Sequence, residues 1–594
     1  MTIKRLKEIC NRLIQSIKED GIKLTNARIR RKLHSKFGAK VFKKTWMLNR
    51  TDKIQQENRV FASGLLISIL VPIYNTPLKL LSEMLNSVQA QTCRRYELCL
   101  ADGSDDDHAY VGETIKRRAQ YDDRIRYFKL LINKGISENT NACMQIATGT
   151  YFMLLDHDDL LHPSALHDVM DVIEQTGADF VYTDEATFRK HPRDAYLPHF
   201  KQDFSPDTLR AHNYICHLTV FSRKLAEKAG GFRAAYDGSQ DYDMVLRLTE
   251  KATKIVHIPR ILYYWRNHHT SVASAISAKP YAINAAKAAI ESHLNRLGLK
   301  GKVTDTVIPS IYRITYEVED KTLVSIIIPS SDHVDQLQKC VNSIFSKTDH
   351  TSYEIIIVEN NSKEQQTFDY YANLKSDSRV KVVVWPRPFN YSAINNFAVD
   401  HAVGEYFLFL NNDIEVINTS WITEMLMFAQ RKDVGAVGAK LYYPDGRVQH
   451  AGIGIGLLTL AGHYHRGFPQ NAYGYMGRLQ YQQNVSAVTG ACMMMRAQIY
   501  RELGGMEEAL AVNFNDVDLC LRIREKGLLI VFTPFSELVH YESLSRGTNE
   551  TPEKRKQYLQ EEAFFRSRWA KQLEEGDPYF GPNFDPLCED FSVR

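Results

Sequence analysis

The stretch GTYFMLLDHDD at Gly149–Asp159 is matched 255 residues later by GEYFLFLNNDI at Gly404–Ile414. Three further strings recur in the same order at similar offsets: LISILVPIYN (Leu66–Asn75) as LVSIIIPSSD (Leu323–Asp332), YELCLADGS (Tyr96–Ser104) as YEIIIVENNS (Tyr353–Ser362), and SQDYDMVLR (Ser239–Arg247) as FNDVDLCLR (Phe514–Arg522). Chance rarely produces several unrelated strings in one order, and this period is far too long for a solenoid. The sequence therefore predicts a duplicated domain of roughly 240 residues.

Each copy alternates short apolar runs with helical patterns. Four short apolar runs end in Pro or are followed by polar residues, which is typical of buried parallel strands. These runs are Ile67–Pro72, Leu98–Ala101, Ile326–Pro329 and Ile355–Val358. Strands that alternate with helices predict an α/β fold in which helices cover both faces of a mostly parallel, Rossmann-like sheet. Ligands bind such sheets at the carboxyl ends of the strands, where both copies place Asp, Asn and Ser.

Composition excludes several classes of protein. The 594 residues, 44% hydrophobic and 24% charged, are not those of a collagen-like, disordered or disulfide-scaffold chain. The nine cysteines form no C-x-x-C pair, so reduced thiols are expected. The sequence contains no apolar run of the roughly 18 residues that a membrane span needs, and no secretory signal. We therefore expect a cytoplasmic protein.

The first fifty residues are strongly basic. They carry a net charge of +12, which leaves the rest of the chain at −8. Ile3, Leu6, Ile9 and Leu13 recur at helical spacing, which predicts an amphipathic basic helix. Such a helix can pack on the body of the protein, lie on an anionic membrane surface or bind nucleic acid. Because no recognition motif accompanies the segment, we expect no nucleic-acid partner.

Carboxylates crowd the end of the predicted strand Tyr151–Leu155. Asp156, Asp158 and Asp159 repel one another unless a cation lies among them, and oxygen ligands of this kind suit Mg²⁺ or Mn²⁺ bound to a nucleotide's phosphates. The alternative is a helix cap or a solvated turn. In the second copy only Asp413 keeps a charge, and that version taken alone favours the alternative.

A pair of aspartates precedes a helical pattern in each copy: Asp241 with Asp243, and Asp516 with Asp518. A single carboxylate at such a place is often only a helix cap. The pair recurs at a comparable distance after the strand-end cluster, which favours a general base that faces a metal–diphosphate site.

A histidine follows each pair, His268 by 25 residues after Asp243 and His540 by 22 residues after Asp518. A lone histidine is usually a satisfied surface or core residue. Imidazole also suits Mn²⁺-type ions, so both histidines are candidate ligands.

With these motifs in hand, each copy resembles a family 2 nucleotide-sugar glycosyltransferase domain of the GT-A fold, over residues 65–275 and 322–547. The first copy carries VPIYN, LADGSDD, NKGISENTNA, LLDHDD and SQDYDMVLR, and the second carries SIIIPSSD, VENNS, FNYSAINNFA, FLNNDIEV, TGACMMMR and FNDVDLCLRIREKG. The strings LPHFKQDFSPDTLRAHNYICHLTVF, YPDGRVQHAGI and GDPYFGPNFDP are similar to those of tandem bacterial enzymes that build surface polysaccharides such as O-antigen, capsule or cell-wall glycan.

The resemblance implies two tandem GT-A domains, at 65–300 and 321–550, joined by a linker at 301–320. A basic helical segment at 1–60 precedes them, and a C-terminal helix and tail at 551–594 follow.

The resemblance also implies roles for the candidate residues. Asp241 and Asp516 would be the general bases of an inverting transfer. Asp158 with His268, and Asp413 with His540, would hold the divalent metal, Mn²⁺ or Mg²⁺. The residues implied in nucleotide-sugar binding are Pro72, Tyr74, Asp102, Asn133, Asp156, Pro329, Glu359, Asn360, Asn390 and Asn411.

Within that binding set, Asp102 and, at the matching point, Asn360 would read the nucleotide base. Asp156 and Asn411 would lie near the ribose and the sugar. The partners implied are nucleotide-sugar donors and a growing, lipid-linked glycan, which would bring the enzyme to the inner face of the cytoplasmic membrane.

Two other functions remain open. A nucleotidyltransferase would also bind a nucleotide and a metal, but it should carry a Gly-rich, basic loop after its first strand, where this chain has YNTPLKL. Alternatively, one copy is active and the other is a glycan-binding or docking module. The Asn412–Asp413 pair, with its single charge, motivates this hypothesis for the second copy.

Overall fold

The computed structural model describes residues 48–62, 64–267, 280–319, 321–542 and 551–594. The predicted basic helix within residues 1–50 lies almost entirely outside the described residues, and so does His268. Within them, one compact unit comprises 48–204 and 212–312, and the other comprises 205–211 and 313–594.

The first unit is built on a nine-stranded sheet, counted over the described residues. Its strands are β1 (Ile67–Ile73), β2 (Tyr96–Asp102), β3 (Ile125–Lys129), β4 (Tyr151–Leu154), β5 (Leu160–Leu161), β6 (Phe180–Phe188), β7 (Tyr196–His199), β8 (Thr219–Ser222) and β9 (Ile255–Arg266). The first nine α-helices within the described residues are α1 (Arg50–Glu57), α2 (Leu78–Gln89), α3 (Tyr110–Ala119), α4 (Ile136–Ile146), α5 (Ala165–Thr176), α6 (Pro206–Ala211), α7 (Arg223–Ala229), α8 (Gln240–Thr249) and α9 (Pro280–Arg296). Of these, α6 belongs to the second unit.

The predicted linker contains regular structure. Strands β10 (Gly301–Asp305) and β11 (Tyr312–Tyr316) pair with each other there. The two compact units divide between Tyr312 and Arg313, inside the predicted linker.

The second unit holds a ten-stranded sheet and a two-stranded one within its described residues. Its strands are β12 (Val324–Ser330), β13 (Tyr353–Glu359), β14 (Val380–Val384), β15 (Tyr406–Leu410), β16 (Ile414–Val416), β17 (Val434–Tyr442), β18 (Val448–His450), β19 (Ile453–Ile455), β20 (Ala461–His463), β21 (Gln483–Asn484), β22 (Cys492–Arg496) and β23 (Leu529–His540). Its helices are α10 (Val334–Ser346), α11 (Gln365–Leu374), α12 (Tyr391–Val399), α13 (Trp421–Ala429), α14 (Ala497–Glu502), α15 (Asn515–Glu525), α16 (Pro552–Arg568) and α17 (Ala570–Glu575).

The two large sheets share one topology. The strand order β3-β2-β1-β4-β8-β6-β9-β5 in the first unit is matched, strand for strand, by β14-β13-β12-β15-β22-β17-β23-β16 in the second. In both, the four strands of the first half run parallel, and the next strand joins antiparallel. The predicted duplication and the predicted α/β class are therefore confirmed.

Close packing requires the glycine that begins each of the matched stretches, Gly149 and Gly404. A Cβ at Gly149 would lie 2.5 Å from Ser68 Oγ, and a Cβ at Gly404 would lie 2.5 Å from Ser325 Oγ. Each serine hydroxyl donates to a buried glutamate at 2.6 Å, Glu97 in the first copy. This approach lets β4 and β15 enter the sheet beside the central strand, and it places the acidic residues that follow at the sheet's carboxyl edge.

Helix α6 is fastened into the second unit by buried charges. The Asp207 carboxylate accepts hydrogen bonds from Arg431, from Arg210 at 3.0 Å and from Asn484 Nδ2 at 2.8 Å. Burial would raise the pKa of Asp207, but the two arginines outweigh it and lower that pKa to about 2. The buried Asp207 carboxylate therefore remains charged because the two arginines lie beside it.

Replacing Arg431 by methionine should destabilise the second unit by about 3 kcal/mol, since it removes one partner of a buried carboxylate. Calorimetry should show an unfolding temperature lower by roughly 6–12 °C. The matched control is Arg447→Met, because Arg447 and its partner Asp445 are more than half exposed, and no measurable change is expected there. Equal unfolding temperatures for the two variants would contradict this interpretation.

The described residues contain no helix long and apolar enough to cross a lipid bilayer.

Candidate functional site

The candidate site of each copy lies at the carboxyl edge of the parallel strands. In the first copy Ile73 and Asp102 are paired at the ends of β1 and β2, and β4 ends directly before Leu155 and Asp156. This edge is where sheets of this type bind ligands. Pro72 lies in β1 and Tyr74 follows it, with its side chain about half exposed.

Asp102 is buried and already hydrogen-bonded within the chain. One carboxylate oxygen accepts from Ser104 N at 2.8 Å. The other accepts from Tyr127 Oη at 2.8 Å and lies 3.4 Å from Lys129 Nζ. These contacts fix the loop that follows β2, so Asp102 shapes the predicted base-binding edge.

The strand register matches Asp102 with Glu359 rather than with Asn360. Ser330 pairs with Glu359 as Ile73 pairs with Asp102. The Glu359 carboxylate accepts from the backbone and hydroxyl of the serine that follows, Ser362, both at 2.6 Å. Asn360 lies one position further on, and its amide donates to two backbone carbonyls. The second copy thus keeps a carboxylate at the point where the family resemblance implied an amide.

Two predicted binding asparagines hold loops at this edge. Asn133 Oδ1 accepts from Gly135 N at 3.1 Å and from Asn139 Nδ2 at 2.9 Å. Asn390 caps helix α12 by accepting from Ala393 N at 3.0 Å. Both therefore have a structural function that is independent of any ligand. Pro329 lies in β12, one residue before that strand ends.

In the first copy an acidic cluster meets a histidine that the sequence analysis did not single out. Carboxylate oxygens of Asp156 and Asp159 and a ring nitrogen of His217 lie within 4.8 Å of one another. His217 Nε2 is 3.5 Å from Asp156 Oδ2, and its Nδ1 is 3.3 Å from Glu185 Oε2. The imidazole ring is stacked on Tyr263 with 4.6 Å between ring centroids. The arrangement supplies carboxylate and imidazole donors, a set that fits Mn²⁺.

The members of this cluster differ in charge. Burial raises the pKa of Asp159 well above its ordinary value, and the charges of Asp158 and Asp156 add to that effect. Asp159 is also anchored by Tyr263 Oη and by the backbone N–H of Arg266, both at 2.6 Å. Asp156 differs: partial burial opposes ionisation, but His217 outweighs it and lowers the pKa. Asp156 is therefore the ionised, accessible carboxylate of the cluster.

The predicted metal residues of the first copy are only partly described. The backbone carbonyl of Asp158 accepts from Arg266 Nε at 2.6 Å, and the predicted partner His268 is outside the described residues. Strand β8 instead brings His217 to the cluster, because its antiparallel pairing of Val220 with Met153 places His217 beside the end of β4. His217 comes just before β8, the strand that pairs with β4. That position was the sequence signal from which its place in the site could have been predicted.

In the second copy the predicted pair does meet. His540 Nε2 is 3.1 Å from Asp413 Oδ1 and 3.3 Å from the Asn411 amide. Gln449 Oε1 lies 2.9 Å from His540 Nδ1, while Gln449 Nε2 donates to Glu542 at 2.9 Å. The glutamine orientation therefore makes Nδ1 the protonated nitrogen and turns Nε2 toward Asp413. An outer hydrogen bond of this kind orients the ring of a metal-binding histidine.

Burial separates the two aspartates of each helix start. Asp243 and Asp518 are fully buried and paired with the arginine one turn later, Arg247 and Arg522. Asp241 and Asp516 are partly exposed. In each pair, therefore, one aspartate is fixed in a buried ion pair and the other is partly exposed to solvent.

In the first copy, Asp241 contacts the segment that leads into strand β8, and the same segment reaches the acidic cluster. Asn213 Nδ2 donates to Asp241 at 3.1 Å, and His217 on the same segment contacts Asp156. Burial raises the pKa of Asp241, and the charge of Asp156 adds to this while that of His217 opposes it. A raised carboxyl pKa suits a general base.

The same link recurs in the second copy. Gly490 N donates to Asp516 at 2.8 Å, and the next residue, Ala491, accepts from Asn411 N at 3.1 Å. One short segment thus connects the helix-start carboxylate with the strand-end residues in both copies.

Comparison with known proteins identifies the class. The model of glycosyl transferase family 2 matches residues 68–230 and 325–504, one match over each copy of the repeat. The chain belongs to this family and carries two copies of its domain, each with the α/β architecture of the GT-A fold.

Several proteins are similar along most of the chain. An uncharacterized protein y4gI of Sinorhizobium fredii is 44% identical over 90% of this chain and 59% of its own length. The O-antigen biosynthesis protein RfbC of Myxococcus xanthus is 35% identical over 89% of this chain and 41% of its own length. The chain thus spans about half the length of these relatives. Among solved structures, GalNAc-T7 with UDP, GalNAc and Mn²⁺ is similar at 16% identity and a TM-score of 0.34, over 46% of this chain and 52% of that one.

Proposed function

We propose that this chain is a bifunctional inverting glycosyltransferase in which each copy transfers a sugar from its own nucleotide-sugar donor. The observation that carries the proposal is a short segment that joins the helix-start aspartate to the strand-end residue in each copy. In the first copy the segment from Asn213 to His217 contacts Asp241 and Asp156, and in the second Gly490–Ala491 contacts Asp516 and Asn411. A base and a donor site must lie this close for a single displacement.

The chemistry follows from these positions. The acceptor hydroxyl loses its proton to Asp241 or Asp516 as its oxygen attacks the anomeric carbon of the donor, on the face opposite the nucleoside diphosphate. The bond from that carbon to the diphosphate breaks, which inverts the anomeric configuration. A divalent cation held beside Asp156, or between Asp413 and His540, would offset the charge of the departing diphosphate.

The acceptor that we propose is a growing, lipid-linked surface glycan. Support comes from the relative RfbC, whose name assigns it to O-antigen biosynthesis, and from the basic segment at the start of this chain. The two copies would then add successive sugars to one glycan.

The proposal is tested by donor hydrolysis. Purified full-length protein would be incubated with a panel of nucleotide sugars and Mn²⁺, alongside Asp241→Asn, Asp516→Asn and the double variant. We expect two donors to be consumed by the wild type, one by each single variant and none by the double variant. Undiminished consumption by the double variant would refute the assignment of the bases.

As the pH falls, the first transfer should lose activity at a higher pH than it would if its base were an aspartate of ordinary pKa. Asp241 must be ionised to accept a proton, and burial raises its pKa, so the rate should fall as the pH drops through a value above the ordinary 3.9 or so. Asn213→Ala removes a donor that stabilises the charged form, and it should move this acidic limb to still higher pH. The pH–rate profiles of both proteins check this, and coincident limbs would contradict it.

The basic segment should bind anionic membranes. Each basic residue near such a surface contributes roughly 1 kcal/mol, and the contribution falls with salt. We expect the full chain to co-sediment with anionic vesicles at low salt, and a chain without residues 1–47, which keeps helix α1, to lose this binding. Equal sedimentation of the two forms would leave the segment as packing or solvated surface.

A further inference from the structure

The C-terminal helix α16 contacts the loop that leads into the base of the second copy. Glu561 of this helix is 3% exposed. Its carboxylate accepts from Val512 N at 3.2 Å, from Asn513 N at 2.8 Å and from Asn513 Nδ2 at 2.8 Å. A buried carboxylate with three donors from two adjacent residues fixes both the position and the direction of that backbone.

The next residue of the loop is held in an unfavourable conformation. Phe514 has φ 62° and ψ 2°, in the left-handed region that a bulky residue rarely adopts. Its ring packs against Phe565 and Tyr558 of helix α16, at 5.1 and 5.8 Å between centroids. This conformation persists because the surrounding contacts determine it, and it turns the chain into the helix that carries Asp516.

A second anchor lies on the other side of Asp516. The residue after helix α16, Trp569, is 2% exposed, and its indole N–H donates to Asp518 Oδ1 at 3.0 Å. Arg522 donates to the other oxygen of Asp518 at 2.8 Å. The C-terminal segment thus holds the chain at 512–514 and again at 518, on both sides of the candidate base.

We propose that helix α16 and Trp569 are a positioning element for the second active site, and that Glu561 is the positioning residue which orients Asp516. The inference rests on the proposed role of Asp516 as the base. The C-terminal helix would then be part of the second catalytic unit rather than an appended tail.

The first copy uses different residues at the equivalent place. Ser239, which precedes helix α8, donates through its hydroxyl to Ala282 O at 2.9 Å, and Asp243 is paired with Arg233 and Arg247. Glu561 and Trp569 belong to the second unit. Changes at Glu561 or Trp569 should therefore affect the second transfer and spare the first.

The expected defect lies in turnover rather than in donor binding. Glu561 acts on the loop before Asp516, whereas the predicted nucleotide residues Pro329, Glu359 and Asn411 lie on strand ends. A misplacement of about 1 Å in a reacting group can reduce the rate about 100-fold. We expect kcat of the second transfer to fall by about 10- to 100-fold, with KM for its donor within about twofold of the wild type.

The test uses the full chain with Glu561→Gln and, separately, Trp569→Phe. The control is Glu562→Gln, because Glu562 pairs with Arg566 in the same helix, at 2.8 Å. Both rates, donor KM and the unfolding temperature are measured for each variant. A fall in kcat of the second transfer in Glu561→Gln, with KM and the first transfer unchanged and with the control unaffected, would support the inference.

Wild-type kcat in both Glu561→Gln and Trp569→Phe would overturn the inference. So would a parallel loss of kcat, donor affinity and the first transfer, because that pattern indicates general unfolding. Asp516→Asn is measured in the same series. If it leaves the second transfer intact, the proposed function of that copy is wrong and this inference falls with it. If it abolishes the transfer while Glu561→Gln does not alter it, only the positioning role is refuted.

Discussion

Replacing Asp241 by asparagine is expected to abolish one of two glycosyl transfers and to leave the other at its wild-type rate. The amide keeps the shape of the side chain but cannot accept the acceptor's proton, and the loss of a general base costs about 10²–10⁴ in rate. The measurement is the consumption of each donor in the presence of acceptor.

The matched control for this prediction is Asp123→Asn. Asp123 is exposed and lies in the turn before strand β3, at the amino end of that strand rather than at its carboxyl end. Both transfers should proceed normally in the control. If Asp241→Asn retained both transfers within a fewfold of the wild type, the assignment of the first base would be wrong.

Removing divalent metal is expected to stop the first transfer completely. Asp156 is the ionised carboxylate of the cluster in the first copy, and excess chelator would leave its charge and that of the donor diphosphate without a bound cation. Activity should return with Mn²⁺ or Mg²⁺. Full activity of the first copy in excess EDTA would contradict the proposed metal dependence.

The second copy allows a sharper form of the same prediction. Gln449 orients His540 through its hydrogen bond to Nδ1, and the loss of such an outer partner typically weakens metal affinity 10- to 100-fold. Gln449→Ala should therefore raise the Mn²⁺ concentration needed for half-maximal second transfer by about that factor. Gln365→Ala, an exposed glutamine at the start of helix α11, is the control.

The fold could be predicted because its signals are local and repeated. Two copies of the same strand-end strings predicted the duplication, and the apolar runs predicted parallel strands, as the matched sheet orders confirm. The choice of Asp241 over Asp243 could not be decided from spacing alone. It depends on the burial of Asp243 against Arg247, which only the packed structure defines.

The residues that sequence reasoning missed are brought to the site by long-range pairing. His217 reaches Asp156 through the antiparallel pairing of β8 with β4, and Gln449 reaches His540 across 91 residues of sequence. The register of β13 likewise moves the counterpart of Asp102 by one residue, to Glu359. Helix α6 gives no sequence signal that it belongs to the second unit, because Asp207 meets Arg431 only after folding.

The glycan that Asp516→Asn produces shows whether both copies catalyse transfer. Mass spectrometry of the acceptor product, made with both donors present, would compare the wild type with this variant. We expect a product that lacks one of the two sugars while the Asp241-dependent sugar is still added. A product of unchanged size and composition would mean that the second copy is a glycan-binding module.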